Sequence, residues 1–341
     1  MTITARLAGP VLRPTQGSVR GFALASVIAN TVLMCTGAAE RLSSSGLGCP
    51  DWPQCTKTSL VAAHSPGQTS LNTAIAFGNR LLNFPMVAIA VLTFIACLSY
   101  RPGGMRRRDL VWLSAALPAG MIAQAVAGGI VVLTRLNPAL VAVHFLLSAA
   151  IVAAAVVLHV RAGEGAGRPR PLVRADLRIV AVLLAGVTGL MLVAGTIVTG
   201  TGPLAGTTID SHGHPSTVPR FHFTLQDVTQ MHADIGWFLG ALVVALVIGM
   251  RYGGAPARVV RLGWIVLAGL AVQGTLGYIQ YFTHLPAGLV WVHVATSVAL
   301  WILVLRLLLS TRERLTSPRE PGPEPGPVTA PAAAAEPGLR R

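Results

Sequence analysis

A chain of 341 residues that is 53% hydrophobic and only 11% charged is not a soluble globular domain, in which charged residues make up about 25%. Its formal net charge of +14 invites nucleic acid as a partner, but the basic residues lie between long apolar runs, which points to a lipid bilayer instead. Composition leaves a polytopic membrane protein.

Eight runs long enough to cross a hydrocarbon core of about 30 Å follow one another, at 21–39, 75–99, 110–133, 139–160, 178–200, 228–250, 260–282 and 288–310. They predict an all-α polytopic membrane protein with eight transmembrane helices. Residues 1–20 form an arm before span 1 and carry Arg6, Arg13 and Arg20. Arg101 and Arg106 to Arg108 lie between spans 2 and 3, and Arg161, Arg168, Arg170, Arg174 and Arg178 between spans 4 and 5. Arg251, Arg258 and Arg261 lie between spans 6 and 7, and Arg312, Arg314 and Arg319 follow span 8. The alternate loops carry only Arg41, Lys57, Arg135 and Arg220. By the positive-inside rule both termini are cytoplasmic and the alternate loops are external. No small-residue cleavage site follows span 1, so it reads as a retained span of a plasma-membrane protein.

Span 1 runs out into CTGAAERLSSSGLGCPDWPQC. Cys49 and Cys55 lie there on the oxidising face, where a disulfide is preferred to metal binding by two cysteines or to a free pair. Cys35 and Cys97 fall inside spans and read as small core residues. Span 2 opens with TAIAFGNRLLNF. Arg80, about a turn inside it, is either an interface anchor or the partner of an acidic ligand. Span 4 carries His144 near its outer end and His159 at its inner end, roughly 22 Å apart at a rise of about 1.5 Å per residue. They cannot share a site, and His159 reads as an inner-interface residue.

The basic Gly/Pro segment 161–177 links two halves, 21–160 and 178–310. Span 5 ends in GTIVTGTGPLAG, which echoes TGAAERLSSSGLG after span 1. The outer loop beyond it holds His212, His214 and His222, read as solvated because no thiolate or ligand spacing supports zinc. The Pro-, Ala- and Gly-rich tail, 311–341, is expected to be disordered and cytoplasmic.

Two stretches repeat each other. QAVAGGIVVLTRLNPALVAVHF (124–145) and QGTLGYIQYFTHLPAGLVWVHV (273–294) both place glutamine twenty positions before histidine, as Gln124/His144 and Gln273/His293. Both have glycine at the fifth position (Gly128, Gly277) and threonine at the eleventh (Thr134, Thr283). The chain therefore reads as two repeated four-helix bundles. Asn79, His144, His232 and His293 fall in the outer ends of the even-numbered spans. His232 and His293, with no cysteine or carboxylate cluster beside them, suit the two axial positions of a six-coordinate haem iron. The first half has His144 but Asn79 where the repeat asks for a second histidine, and asparagine is a poor haem ligand. A closed site suits electron transfer; an open one suits a substrate.

With these residues in place, the chain from about 22 to 310 resembles the haem A synthase family of bacterial and mitochondrial membranes. The resemblance rests on GLGCPDWPQC, FGNRLL, GGIVVLTRLNP followed by VHFLLSAA, VTGTGPLAG, VTQMHAD, and QGTLGYIQYFTHLP followed by VH. It implies that the C-terminal half holds haem b through His232 and His293. It implies that the N-terminal half takes haem O at Asn79, Arg80 and His144 and oxidises its C8 methyl to a formyl, giving haem A for terminal oxidases. A Cys49–Cys55 disulfide, delivery of haem O by haem O synthase and an unidentified electron acceptor are implied as well, and a homo-oligomer is left open.

The chain departs from this family at one position. Many members have a glutamate four residues before the arginine of FGNR; here that position is Ala76, which can neither accept a proton nor stabilise a cation. Glu40 is the nearest substitute, at the outer end of span 1, where an apolar residue is more usual. Its ordinary reading is a solvated residue paired with Arg41. The readings to be separated are a haem A synthase, active or silenced at Ala76, and a non-catalytic bis-histidine haem b protein for binding or electron transfer. A transporter, prompted by the repeat, finds no interrupted helices or mid-membrane charges in its support.

Overall fold

The computed structural model of the chain describes residues 11–62, 69–209 and 215–314. Most of these belong to eight long helices, α1 (Gln16–Leu42), α2 (Ser70–Ser99), α3 (Arg108–Leu133), α4 (Pro138–Ala162), α5 (Ala175–Thr201), α6 (Leu225–Tyr252), α7 (Ala257–Phe282) and α8 (Ala287–Ser310). Each is long and apolar enough to cross a membrane. All eight coincide with the predicted spans, and α1 and α2 begin more than a turn before their apolar runs. Polar capping extends them: Thr15 accepts from the Ser18 N–H at 3.2 Å, and Thr69 from the Asn72 N–H at 3.1 Å.

With eight crossings, the start of α1 and the end of α8 lie at one end of the bundle, termed the terminal end. The opposite end is termed the far end. At the terminal end, β1 (Pro169–Pro171) pairs antiparallel with β4 (Arg312–Arg314). The expected disordered tail is therefore ordered through its first residues. Thr311 is buried, and Glu313 accepts from Arg258 at 2.6 Å. Residues 315–341 and 1–10 lie outside the described residues. At the far end β2 (Thr207–Ile209) pairs with β3 (Pro215–Thr217). His212 and His214 lie outside the described residues, and His222 is exposed.

The helices pack in two groups of four. In the first, α1 and α3 each lie against α2 and α4; in the second, α5 and α7 each lie against α6 and α8. The groups meet through α1 against α8, α4 against α5, and α4 against α8, a pattern unchanged when the halves are exchanged. Leu110, Leu117 and Leu158 are fully buried in the first group, and Leu184, Leu239, Leu246 and Leu307 in the second. Between the groups, the indoles of Trp291 and Trp301 donate to the carbonyls of Cys35 (2.9 Å) and Ala149 (3.0 Å). Trp112, Trp237 and Tyr252 are exposed on the outside, as aromatic residues of a membrane bundle are.

The repeat extends to backbone detail. The α3–α4 turn holds Arg135 and Leu136 at φ of 54° and 60°, and the α7–α8 turn holds His284 and Leu285 at 61° and 59°. Two consecutive left-handed residues without glycine are unfavourable. Each turn offsets this with the same bonds: Thr134 and Thr283 hydroxyls donate to the Ile130 and Ile279 carbonyls, both at 2.7 Å, and the Leu136 and Leu285 N–H groups donate back to Val131 (2.9 Å) and Gln280 (2.7 Å).

Candidate functional site

Two matching sites lie at the far end, each formed where even-numbered helices begin. In the second half His232 is early in α6 and His293 early in α8. Their rings are 6.4 Å apart between centroids and tilted by 55°. Each ring rests on a glycine of the preceding helix. A Cβ on Gly195 of α5 would lie 3.4 Å from His232 Cε1, and one on Gly277 of α7 would lie 3.4 Å from His293 Cε1. A methyl there would touch the ring, and anything larger would displace it.

The height of His293 is fixed through its backbone. Gln273 Nε2 donates to the His293 carbonyl at 2.9 Å, and the Thr296 hydroxyl donates to Gln273 Oε1 at 2.6 Å. The Nδ1 atoms of His232 and His293 are buried without a hydrogen-bond partner among the described residues. No third His, Cys, Asp or Glu joins them into a metal-binding cluster among the described residues. Metal–imidazole bonds are about 2.0–2.1 Å long, which puts the centroids of two imidazoles on opposite sides of one metal roughly 6 Å apart. The observed separation fits that arrangement. A metal held by two imidazoles and no other side chain takes its remaining bonds from elsewhere, as from the nitrogens of a planar macrocycle.

The first half repeats half of this. The ring of His144 rests on Gly128 of α3, whose Cβ would lie 3.2 Å from His144 Cε1, and its Nδ1 is likewise buried without a partner among the described residues. The His144 carbonyl accepts from Gln124 Nε2 at 3.3 Å and from the Ser148 hydroxyl at 3.2 Å, and Gln124 also reaches Ser148. The symmetry then stops. Gly37 of α1 would place a Cβ with nothing within 4 Å. Asn79, on the helix of the first half that corresponds to α6, is held from α1. Its Oδ1 accepts from the Thr36 hydroxyl at 2.8 Å, and its Nδ2 donates to Glu40 Oε2 at 2.5 Å.

This corrects the ordinary reading of Glu40. It is half-buried and makes no ion pair with Arg41, which instead crosses to the other half and donates to the Thr199 hydroxyl (3.2 Å) and carbonyl (3.1 Å). The two residues are neighbours in sequence, but on a helix neighbours point about 100° apart, so they serve different partners.

Among the described residues Arg80 makes no salt bridge. Its guanidinium donates to three carbonyls of the loop after α1, those of Cys49 (2.7 Å), Asp51 (2.9 Å) and Gln54 (2.9 Å). Cys49 and Cys55 are joined in a disulfide and wholly buried. Ala76, 1% exposed, packs with Phe77 against that disulfide. Gly48 makes the close approach possible, because a Cβ there would lie 2.4 Å from the Asn72 carbonyl oxygen and 3.0 Å from the Ala76 methyl. The same loop lays Trp52 on α3, where a Cβ on Gly129 would lie 2.5 Å from the indole. Gly129 follows Gly128, so the loop is fastened directly beside the wall that backs His144. His159 is at the other end of α4, buried, with Nδ1 3.1 Å from the Arg20 carbonyl.

Sequence reasoning brought His144, His232, His293 and Asn79 to the right end of the bundle but missed Thr36, Ser148, Thr296 and the contact of Glu40 with Asn79. Thr36 carries no sequence signal, since a helix-terminal threonine ordinarily bonds its own backbone.

A family model described as cytochrome oxidase assembly protein, COX15-CtaA, matches residues 20–305. A protein of Rhodopseudomonas palustris strain HaA2, named "Heme A synthase", is 29% identical over 342 residues, covering 87% of this chain and 89% of its own. One from strain BisB5 with the same name is 26% identical over 333 residues, covering 84% of this chain and 88% of its own.

Proposed function

The chain belongs to the COX15-CtaA family of cytochrome oxidase assembly proteins, and from that premise we propose that it acts in haem A biosynthesis, oxidising the C8 methyl of haem O to a formyl. The observation that carries this reading is the asymmetry of two otherwise matching sites. Both have a histidine backed by glycine and bracketed by glutamine, but only the second half sets another histidine opposite it.

In the second half His232 and His293 would hold haem b, which when bound would supply one-electron transfer. The chain's own contribution is rigidity. Gly195 and Gly277 seat the two rings, while Gln273 and Thr296 set the position of the α8 histidine. In the first half the substrate haem O lies at His144 and Asn79. Arg80 is there a positioning residue: it fastens the disulfide loop, and the loop fastens Trp52 beside His144. With water as the formal oxygen source, taking a methyl to a formyl releases four protons and four electrons. The electrons leave to an acceptor outside the chain.

The basic residues gathered at the terminal end support a cytoplasmic placement of that end in the plasma membrane. The two sites are then on the extracytoplasmic side, where Cys49 and Cys55 meet oxidising conditions. Haem O synthase in the same membrane is the source of substrate.

A second reading, a haem b protein without the oxidation, is favoured by Ala76, a buried methyl packed on the disulfide. One experiment separates them. The chain is expressed with a haem O synthase in a host that makes no haem A, and the extracted haems are resolved by chromatography and mass. Haem A supports the synthase reading; haem O and haem b alone support the second.

A further inference from the structure

We propose that Glu40 is the working carboxylate of the first-half site, holding negative charge beside the substrate where electrons are withdrawn. The proposal rests on the reading of that half as the substrate site. A carboxylate at a half-buried helix end is unfavourable unless it is compensated, and function is the usual reason to keep it.

Its surroundings leave it in use by the site. Glu40 Oε2 accepts from Asn79 Nδ2 at 2.5 Å, and Asn79 is also held by Thr36, so one asparagine joins the carboxylate to the position at which the functional reading places the substrate. The nearby cations are engaged elsewhere, Arg41 on Thr199 and Arg80 on loop carbonyls. Among the described residues no salt bridge reaches Glu40. Three positions before it on the same face of α1, a Cβ on Gly37 would meet nothing within 4 Å. No other carboxylate competes for the role within the first four helices. Asp109 is the one remaining acid in α1 to α4, and it lies at the terminal end, bonded to Arg107 (2.9 Å) and Arg161 (3.3 Å).

The test compares Glu40→Gln, which keeps size and removes charge, with Glu40→Asp, which keeps charge. Two readouts are taken from full-length protein supplied with haem O: haem A formed, and the midpoint potential of each bound haem by spectroelectrochemistry. Glu40→Gln is expected to lower haem A at least tenfold, to keep haem O bound, and to raise the potential of the first-half haem while the second-half haem is unchanged. Glu40→Asp should retain part of the output and an unshifted potential. Unchanged haem A and unchanged potential in Glu40→Gln would overturn the proposal, as would equal losses in both variants. If the unmodified chain makes no haem A, the functional reading fails by itself, and the selective potential shift in Glu40→Gln still decides whether Glu40 faces the substrate haem.

Discussion

Gln273 donates its side-chain amide to the main-chain carbonyl of His293 at 2.9 Å, and Gln124 makes the same bond to His144 at 3.3 Å. A glutamine on one helix thus sets the level of a histidine on the next in both halves. Replacing Gln273 by leucine removes a buried hydrogen bond and leaves the Thr296 hydroxyl with one partner fewer. The expected loss is about 0.5–1.5 kcal/mol, or roughly 2–4 °C per kcal/mol in the thermal midpoint. Thermal unfolding in detergent measures it. An unchanged midpoint with an unchanged haem spectrum would show that the bracket is incidental.

The glycines under the rings separate the two sites. Gly277→Val pushes a branched side chain into the His293 ring and should abolish the low-spin b-type spectrum while the protein still folds. Gly128→Val should do the same to haem O retention at His144 and leave the b-type spectrum intact. Gly274, whose Cβ would meet nothing within 4 Å, is the control: Gly274→Ala should change neither. Absorption spectra and extracted haem content read all three.

The spans were legible because length and apolarity alone decide whether a helix crosses a bilayer. The placing of His144 and His293 in equivalent surroundings was legible because duplication printed Gln, Gly, Thr and His twice at the same spacing. What escaped were choices that depend on how a helix is rotated. Glu40 and Arg41 are adjacent and of opposite charge, yet one turns to Asn79 on α2 and the other to Thr199 on α5. Arg80 was recognised as too costly to leave alone in a membrane, but its partners are backbone carbonyls, which carry no side-chain signature. The pairing of Arg312–Arg314 with Pro169–Pro171 was hidden by a composition that resembles the disordered tail beyond it.

The fastened loop makes two predictions together. Cys49 and Cys55 should resist alkylation until the protein is reduced, as a buried disulfide requires. Arg80→Lys replaces a planar fork by a single ammonium that cannot reach three carbonyls in the same geometry. It should lower haem A output and increase the exposure of Trp52 to quenchers, with the b-type spectrum kept. Ready labelling without reductant, or loss of the b-type spectrum in Arg80→Lys, would contradict the assigned role.

Orientation is tested with cysteines at two exposed positions, Lys57→Cys in the disulfide loop and Arg168→Cys in the link between the halves. A membrane-impermeant maleimide applied to intact cells should label the first and spare the second. The reverse pattern would put the sites on the cytoplasmic side.

The central claim is one closed two-histidine site and one open single-histidine site. Electron paramagnetic resonance of the purified protein supplied with haem O tests it most directly. Two haem signals are predicted: a low-spin signal lost in both His232→Ala and His293→Ala, and a second signal of different ligation lost only in His144→Ala. A low-spin signal that survives either second-half substitution, or two signals of identical bis-histidine type, would contradict the account.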